Sequence, residues 1–597
     1  MKYIFTILTI IFLSGDNLYA QFDRKVDSLS TAANLSPDEA ERVHALGKLA
    51  EFFFIYRLDK FGDSVLKLQV KAAELSGKRD LLLIALFGNA INNLTDLRSI
   101  ESFDRALLFL EKGKNHAKAI SSEEYLTLAH VRLAALYRKR GQLENAFSHA
   151  NIAFTTAQNI SKDSIKIVSA IELGDVYQAK GESVLAFKAY TNAFDKSVET
   201  GNSELQSVTY HHYAALYQSL KNNEQVKENL LQSLELNTRK NNREGLICDY
   251  IDLGRMTTER YYIDKAIALA TEYKDEKYII QAKGILFGYY TYVVGNSDST
   301  LEYINRNEDL RRVYINGGVP QYYWKLGEVF SYSNKLDSAT HYMMLALPGI
   351  ERDFDAQTRQ ALYEDLGTCF FQLKNHDRAI SFYSKAYGLL DESNDPVKAA
   401  RYSEALSNIY EQEGDFKNAV LFARKKDTLN GILQDLSSQR DITLIELNNE
   451  KKKHEKEVAA AQEQVLIKRN LQYMAITIAI TVLFLIMIVI GMFPISKLTI
   501  KLLGYFAFIS LFEFIVLLID SWLHHIAHGE PLKIWLMKIV LIALLVPFQH
   551  YLEHGMIRFL ESRRLHKVRE KLSVKKWRKK KDLAQTIDDI ESDAAVL

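Results

Sequence analysis

Histidines and a few charges set among apolar residues are the groups in this chain whose types and spacing could do chemistry. His524, His525 and His528 form HHxxH, and His550 and His554 form HxxxH. Three imidazoles so spaced are ligands that zinc accepts, and the two groups together have the ligand type of an iron centre. Distance opposes that combination. About 22 residues of helix lie between the groups, roughly 33 Å at the helical rise, which places them at opposite faces of a bilayer. A weak zinc site in HHxxH and plain interfacial polarity remain as the two readings. No catalytic, cofactor-binding or metal-ligating residue is therefore assigned, no cofactor is expected, and the chain is not expected to be an enzyme.

Three further ionisable residues, Glu513, Asp520 and Lys538, interrupt apolar stretches. Charges at bilayer depth are costly and call for a partner or a function. Asp520 falls about three residues inside its stretch and Lys538 about six inside the next, so a clasp between two helices would neutralise both. A proton or ion path, or contact with a second membrane protein, is the alternative. Cys248 and Cys369 lie about 120 residues apart and read as small buried apolar side chains; neither has metal-ligand spacing.

These groups need elements to hold them. Within residues 472–549 the apolar stretches 473–493, 502–523 and 532–548 are expected to form three spans, the first of them free of charge. Residues 1–20 read as a secretory signal, with Lys2, an apolar run over 3–13 and Leu18-Tyr19-Ala20 before Gln21; an uncleaved anchor is the alternative. With the signal removed, everything up to the first span lies outside the cytoplasm and the tail, 550–597, lies inside. That tail holds twelve Lys or Arg between 558 and 581 against Glu561 and Glu570, as the positive-inside tendency requires. Lys468 and Arg469 oppose it. The expected location is a bacterial inner membrane with the bulk of the chain periplasmic. The basic tail, which ends in an acidic stretch over 588–593, suits the surface of the lipid bilayer, and no nucleic acid partner is expected. A formal net charge of +1, from 75 Lys and Arg against 74 Asp and Glu, adds no pull toward one.

The strongest pattern is repetition. Residues 173–193, 326–346 and 366–386 share one frame: Leu-Gly, an aromatic residue three places after the Gly and an Ala twelve places after it. Gly174, Tyr177 and Ala186, then Gly327, Phe330 and Ala339, then Gly367, Phe370 and Ala379 occupy these positions, with Gly254, Ala266, Gly288, Tyr410 and Ala419 in further copies. The glycines are expected to let a second helix approach the first, the alanines to face them, and the aromatics to fill the space toward the next unit. With only seven prolines in the chain, long uninterrupted helices are favoured.

The frame resembles the tetratricopeptide repeat (TPR), with a period nearer 40 than the family's 34. The resemblance covers about two-thirds of the chain: eight units over 122–424, after two divergent helical pairs in 21–121. It implies an all-α, TPR-type helical solenoid whose concave groove holds a protein or peptide ligand. The aromatic runs at Phe52-Phe53-Phe54, Tyr261-Tyr262, Tyr289-Tyr290 and Tyr322-Tyr323-Trp324 are candidates for that groove or for interhelix packing. A long polar helix over 425–471 then leads into the membrane segment. Its stripe of Leu429, Leu433, Leu436, Ile442, Ile445 and Leu447 suits a coiled coil, and hence a homodimer, or a helix capping the last repeat. The layout resembles the input half of membrane-bound TPR sensors of the Bacteroidetes, without their output end: no phosphoacceptor His box, ATP lid or helix-turn-helix follows Phe493. The expected function is a membrane-anchored scaffold or receptor. A subunit relaying to a separate kinase or regulator is the alternative, and a membrane enzyme or ion-conducting module a third.

Overall fold

The computed structural model describes residues 20–36, 38–93, 100–390 and 395–491, and beyond these only short stretches, of which 505–511, 513–515, 535–540 and 583–586 are the longer. The signal segment, Asp520, the HHxxH histidines and nearly all of the basic tail lie outside the described residues. Among the described residues every regular element is helical. In chain order they are α1 Ala20–Leu35, α2 Glu39–Ile55, α3 Asp59–Leu75, α4 Arg79–Asn93, α5 Ile100–Ala119, α6 Glu123–Lys139, α7 Leu143–Ala157, α8 Asp163–Ala179, α9 Ser183–Glu199, α10 Ser203–Ser219 and α11 Asn223–Lys240. There follow α12 Arg243–Thr257, α13 Arg260–Tyr273, α14 Glu276–Gly288 with a π-helical turn Tyr289–Val294, α15 Ser297–Arg306, α16 Glu308–Asn316, α17 Val319–Tyr332, α18 Leu336–Asp353, α19 Ala356–Gln372, α20 His376–Gly388, α21 Pro396–Gln412 and α22 Phe416–Gly491. They form two compact units, the first ending at Glu450 and the second beginning at Lys451.

In the first unit, consecutive helices pair as antiparallel hairpins, from α2 with α3 through α21 with the start of α22. The turns carry this pairing. Gly181 and Gly414 adopt φ of 80° and 78°, and Lys221, Asn334 and Lys374 take φ of 54° to 58° at the corresponding places. A left-handed residue there ends the first helix and reverses the chain. Asparagines start helices both within and between hairpins: Asn222 at α11, and Asn202 and Asn242 at the first helices α10 and α12, each accept, through the side chain, the backbone N–H three residues on, satisfying a donor that the helix start would leave unpaired.

Curvature follows from which helices touch. Neighbouring first helices pack on one another (α2 on α4, α4 on α6, α6 on α8, α8 on α10, α12 on α14), whereas among the described residues second helices pack less closely on their neighbours. The first helices therefore form the inner side of the curve. The pattern lapses at α14 to α16, where the π-helical turn and two short helices replace a regular hairpin. Gly288 marks that lapse. A Cβ added there would meet only Tyr292 of the same turn, at 3.7 Å, so no second helix crosses it.

The array also curls back on itself. Asn316 donates to the Tyr56 carbonyl at 2.9 Å and Arg57 donates to Gln321 at 3.3 Å, and Ile55 packs with Ile304, Leu310 and Val329. The first hairpin thus meets α15 to α17. Helix α22 covers the last hairpin: Leu429 is buried against Ala399 and Ala400 with Leu390 and Leu433 around it, and Phe422 stacks on Tyr410. This is the capping arrangement for Leu429 and Leu433. Leu447, further along, is fully buried in a cluster with residues of α9 to α12, while Leu436, Ile442 and Ile445 are exposed. The stripe is therefore divided rather than continuous, because the array takes up part of it.

In the second unit, one apolar helix packs on another. Tyr473 lies against Phe514 and Phe484 against Phe508, with ring centroids 6.3 and 5.5 Å apart. Their opposite order along the chain makes the two helices antiparallel. Among the described residues one helix is long and apolar enough to cross a membrane, within Phe416–Ile486, and the stretch Tyr505–Ile515 is shorter.

Candidate functional site

The repeat residues lie between the helices of each hairpin. A Cβ on Gly174 would come 2.4 Å from Tyr190, on Gly327 2.5 Å from Met343, on Gly367 3.0 Å from Tyr383, and on Gly254 2.9 Å from Ile263. The group against the first three glycines is thus the large side chain one turn beyond the alanine. Ala186, Ala266, Ala339 and Ala379 are wholly buried and Ala419 nearly so. The aromatics do not point toward the next unit as expected. Phe330 stacks on Tyr342, Phe370 on Phe382 and Tyr410 on Phe422, each twelve residues on, because the tight turn brings that residue directly opposite. Tyr177 has Ala189 there instead, and its ring leans on Phe147 of the preceding hairpin. All of these positions build the array.

Between first helices runs a chain of polar links, largely buried, from α6 to α12 and again from α17 to α21. Arg138 on α6 reaches Glu172 at 2.9 Å and Asp175 at 2.8 Å on α8. Asp175 takes the His212 ring of α10 at 2.6 Å and the Tyr190 hydroxyl at 2.8 Å. His211, beside it, lies 2.8 Å from Asp249 and 2.9 Å from Asp252 on α12. Ser233 and Asn237 donate to the same Asp249 carboxylate at 2.6 and 2.7 Å. Beyond the irregular stretch, Trp324 of α17 donates to Asp365 of α19 at 2.7 Å, and Tyr402 of α21 donates to Glu364 at 2.6 Å.

Burial and pairing set the protonation of these groups. Burial, opposed by Arg138 and seconded by Asp175, pushes the Glu172 carboxyl up to about 7. Burial alone would raise Asp175 too, but His212 and Arg138 outweigh it and hold that carboxyl below the usual range. Burial likewise works against a charged His211, yet its hydrogen bonds to Asp249 and Asp252 raise it to about 9. Asp365 is pushed up to about 7 by burial and then by Glu328, although Trp324 donates to it.

Sequence reasoning missed this ladder, although a signal for it was present. The position two before the frame's Gly, or before the Ala that replaces it, holds Arg132, Glu172, His212, Asp252, Lys325 and Asp365. Signs alternate when His212 counts as basic. The copies at Gly288 and Tyr410 depart from it, with Leu286 and Ala405 there; an ionisable position that changes sign over the other units is what successive helices bonding to one another leave in a sequence.

The proposed aromatic groove residues divide. Phe52 and Phe53 are buried core; Tyr323 and Trp324 pack beside the core of α18 to α21; Tyr262 packs beside that of α9 to α12. Tyr289 and Tyr290 belong to the π-helical turn, where Arg260 lies 5.8 and 5.3 Å from their ring centres. Tyr261 is exposed. Of the charges in the apolar stretches, Glu513 is helical and exposed and Lys538 helical and half-buried; their pairing with Asp520 lies outside the described residues. The rings of His550 and His554 meet edge to face, with centroids 4.3 Å apart. Among the described residues no group of three or more His, Cys, Asp or Glu could hold a metal ion.

Comparison with known proteins gives the class. The tetratricopeptide repeat family model matches residues 361–389, which span the end of α19 and the whole of α20. Residues 361–389 are thus a tetratricopeptide repeat, and the chain around them is an all-helical solenoid of the same kind. A sequence comparison with curated proteins found no match. Among solved structures, a Rap protein complexed with competence and sporulation factor is 14% identical, covers 66% of this chain and 99% of its own, and superposes with a TM-score of 0.33. A tetratricopeptide repeat protein from Parabacteroides merdae is 14% identical, with 53% and 98% covered and a TM-score of 0.27. The apo quorum sensor NprR from B. thuringiensis is 17% identical, with 58% and 96% covered and a TM-score of 0.30. Scores this low carry no argument about function.

Proposed function

We propose that this chain is a membrane-anchored scaffold or receptor that holds a protein or peptide segment along the inner face of its helical array, on the extracytoplasmic side. The observation that carries it is the inner face itself. First helices with polar and charged groups at one register line a curved surface, the form in which solenoids present an extended binding site. Anchoring in a bacterial inner membrane through three spans, with the basic tail on the cytoplasmic lipid surface, is part of the same reading. It is supported by the apolar end of α22, by the antiparallel packing of the helix at 505–515 and by the charge of residues 558–581. The chain's role is binding, without a cofactor or catalytic step. Relay to a separate kinase or regulator is the second reading, favoured by the continuity of α22 from the last hairpin into its apolar end.

The test is co-purification from membranes of the full chain and of a chain lacking residues 21–424, with a cleavable signal retained. Partners that appear only with the full chain support the scaffold. Partners retained in full by the deleted chain would refute it.

A further inference from the structure

In the middle of α22, Leu433, Ser437, Arg440 and Leu444 are half-buried and Leu447 is buried, and they follow one stripe in alternating steps of four and three, with the half-buried Thr443 beside it. That spacing is what a helix offers to a partner helix. The partner here is the array. Leu447 is wholly buried in one cluster with Ala186, Tyr217, Val226 and Leu253, and Leu444 packs against the same cluster. One turn on, Glu450 lies 3.3 Å from Lys188 of α9. The intervening Ile442 and Ile445 stay exposed, at 56% and 61%, so a single face is engaged.

We propose that residues 437–450 of α22 are an internal ligand of the array, an amphipathic helical segment seated on a site of α9 to α12 that recognises leucines at this spacing. Recognition of a helix through anchors three, four and seven residues apart is a recurrent binding mode, and here the anchors belong to the chain that carries the site. The grip is light. Two leucines and one ion pair hold the segment, and the pair is exposed at Lys188 and half-buried at Glu450, at 51% and 29%, so solvent screening keeps its contribution modest. Covalent attachment keeps the segment at a high effective concentration, so the site stays filled until something competes for it or reshapes α9 to α12. The inference rests on the array being a binding scaffold, and it adds that a partner presenting a similar helix exchanges with residues 437–450.

The experiment uses the full chain in detergent micelles and a fluorescent peptide of residues 437–452 as the probe. The wild type, its site filled, takes up no peptide at micromolar concentration. The double variant Leu444→Asp and Leu447→Asp binds the peptide at least tenfold more tightly and is cleaved by protease between 437 and 450 at least tenfold faster. Lys188→Glu and Glu450→Lys, which leave the leucines in place, each speed that cleavage, and the two together restore protection. Equal peptide binding by wild type and double variant, or cleavage within 437–450 that no substitution changes, would overturn the proposal. No partner enters these measurements, so their failure leaves the scaffold standing, and a failed co-purification leaves the seat of Leu447 untouched.

Discussion

At the scale of single residues, the hairpins are held by close approach and by shared charge. Tyr190 cannot swing away from Gly174, because its hydroxyl bonds both Asp175 and Gln178, at 2.8 and 2.9 Å. Gly174→Ala is therefore expected to destabilise the first unit by about 1–3 kcal/mol, whereas Gly284→Ala, with nothing within 4 Å of the added Cβ, should stabilise it by up to about 1 kcal/mol. Urea denaturation of both variants measures the contrast. His211 gives a pH dependence of defined sign. Its folded-state value, about 9, lies above the ordinary 6.5, so its contribution is complete below pH 6.5 and disappears as the pH rises through 9. Hydrogen exchange of the α10 and α12 amides should accelerate across that window beyond the intrinsic base-catalysed rise. His211→Asn should already be weakened at pH 6.5, by roughly 1–3 kcal/mol, and should lose the dependence.

At the scale of elements, the turns show where the chain accepts strain. Lys221 and Lys374 adopt the left-handed conformation that Gly181 and Gly414 adopt freely. Lys221→Gly and Lys374→Gly should each raise stability by up to about 1 kcal/mol, measured as a higher denaturation midpoint with an unchanged slope. The hairpins themselves were legible in the residues. Leu-Gly, the buried alanines and the aromatic three places on are contacts within one helix pair, and local contacts leave a local pattern. The partners of the aromatics were less so, because the residue opposite Phe330 or Phe370 is fixed by turn length rather than by type. Gly288 fitted the spacing but not the structure, since a π-helical turn replaces the expected crossing. The ladder from Arg138 to Asp252 joins groups 34 to 41 residues apart, and only its alternating sign at one register is written in the sequence. The burial of Leu447 against α9 to α12 was not legible at all, because nothing local to residue 447 records what the curl of the array brings to it.

At the scale of the whole molecule, curvature turns these links into a surface. First helices crowd on the inside of the bend, and their charged register lies along that side. The account makes this face the place where a partner is held. The most direct measurement is quantitative co-purification from membranes of the full chain carrying Arg255→Glu and Lys325→Glu, on first helices, beside a control carrying Glu235→Lys and Glu272→Lys, on second helices. Both pairs leave the glycine and alanine contacts intact. The account predicts that the first-helix variant loses its partner at least tenfold relative to wild type while the second-helix variant retains it. Undiminished capture by the first-helix variant, with loss in the other, would contradict it.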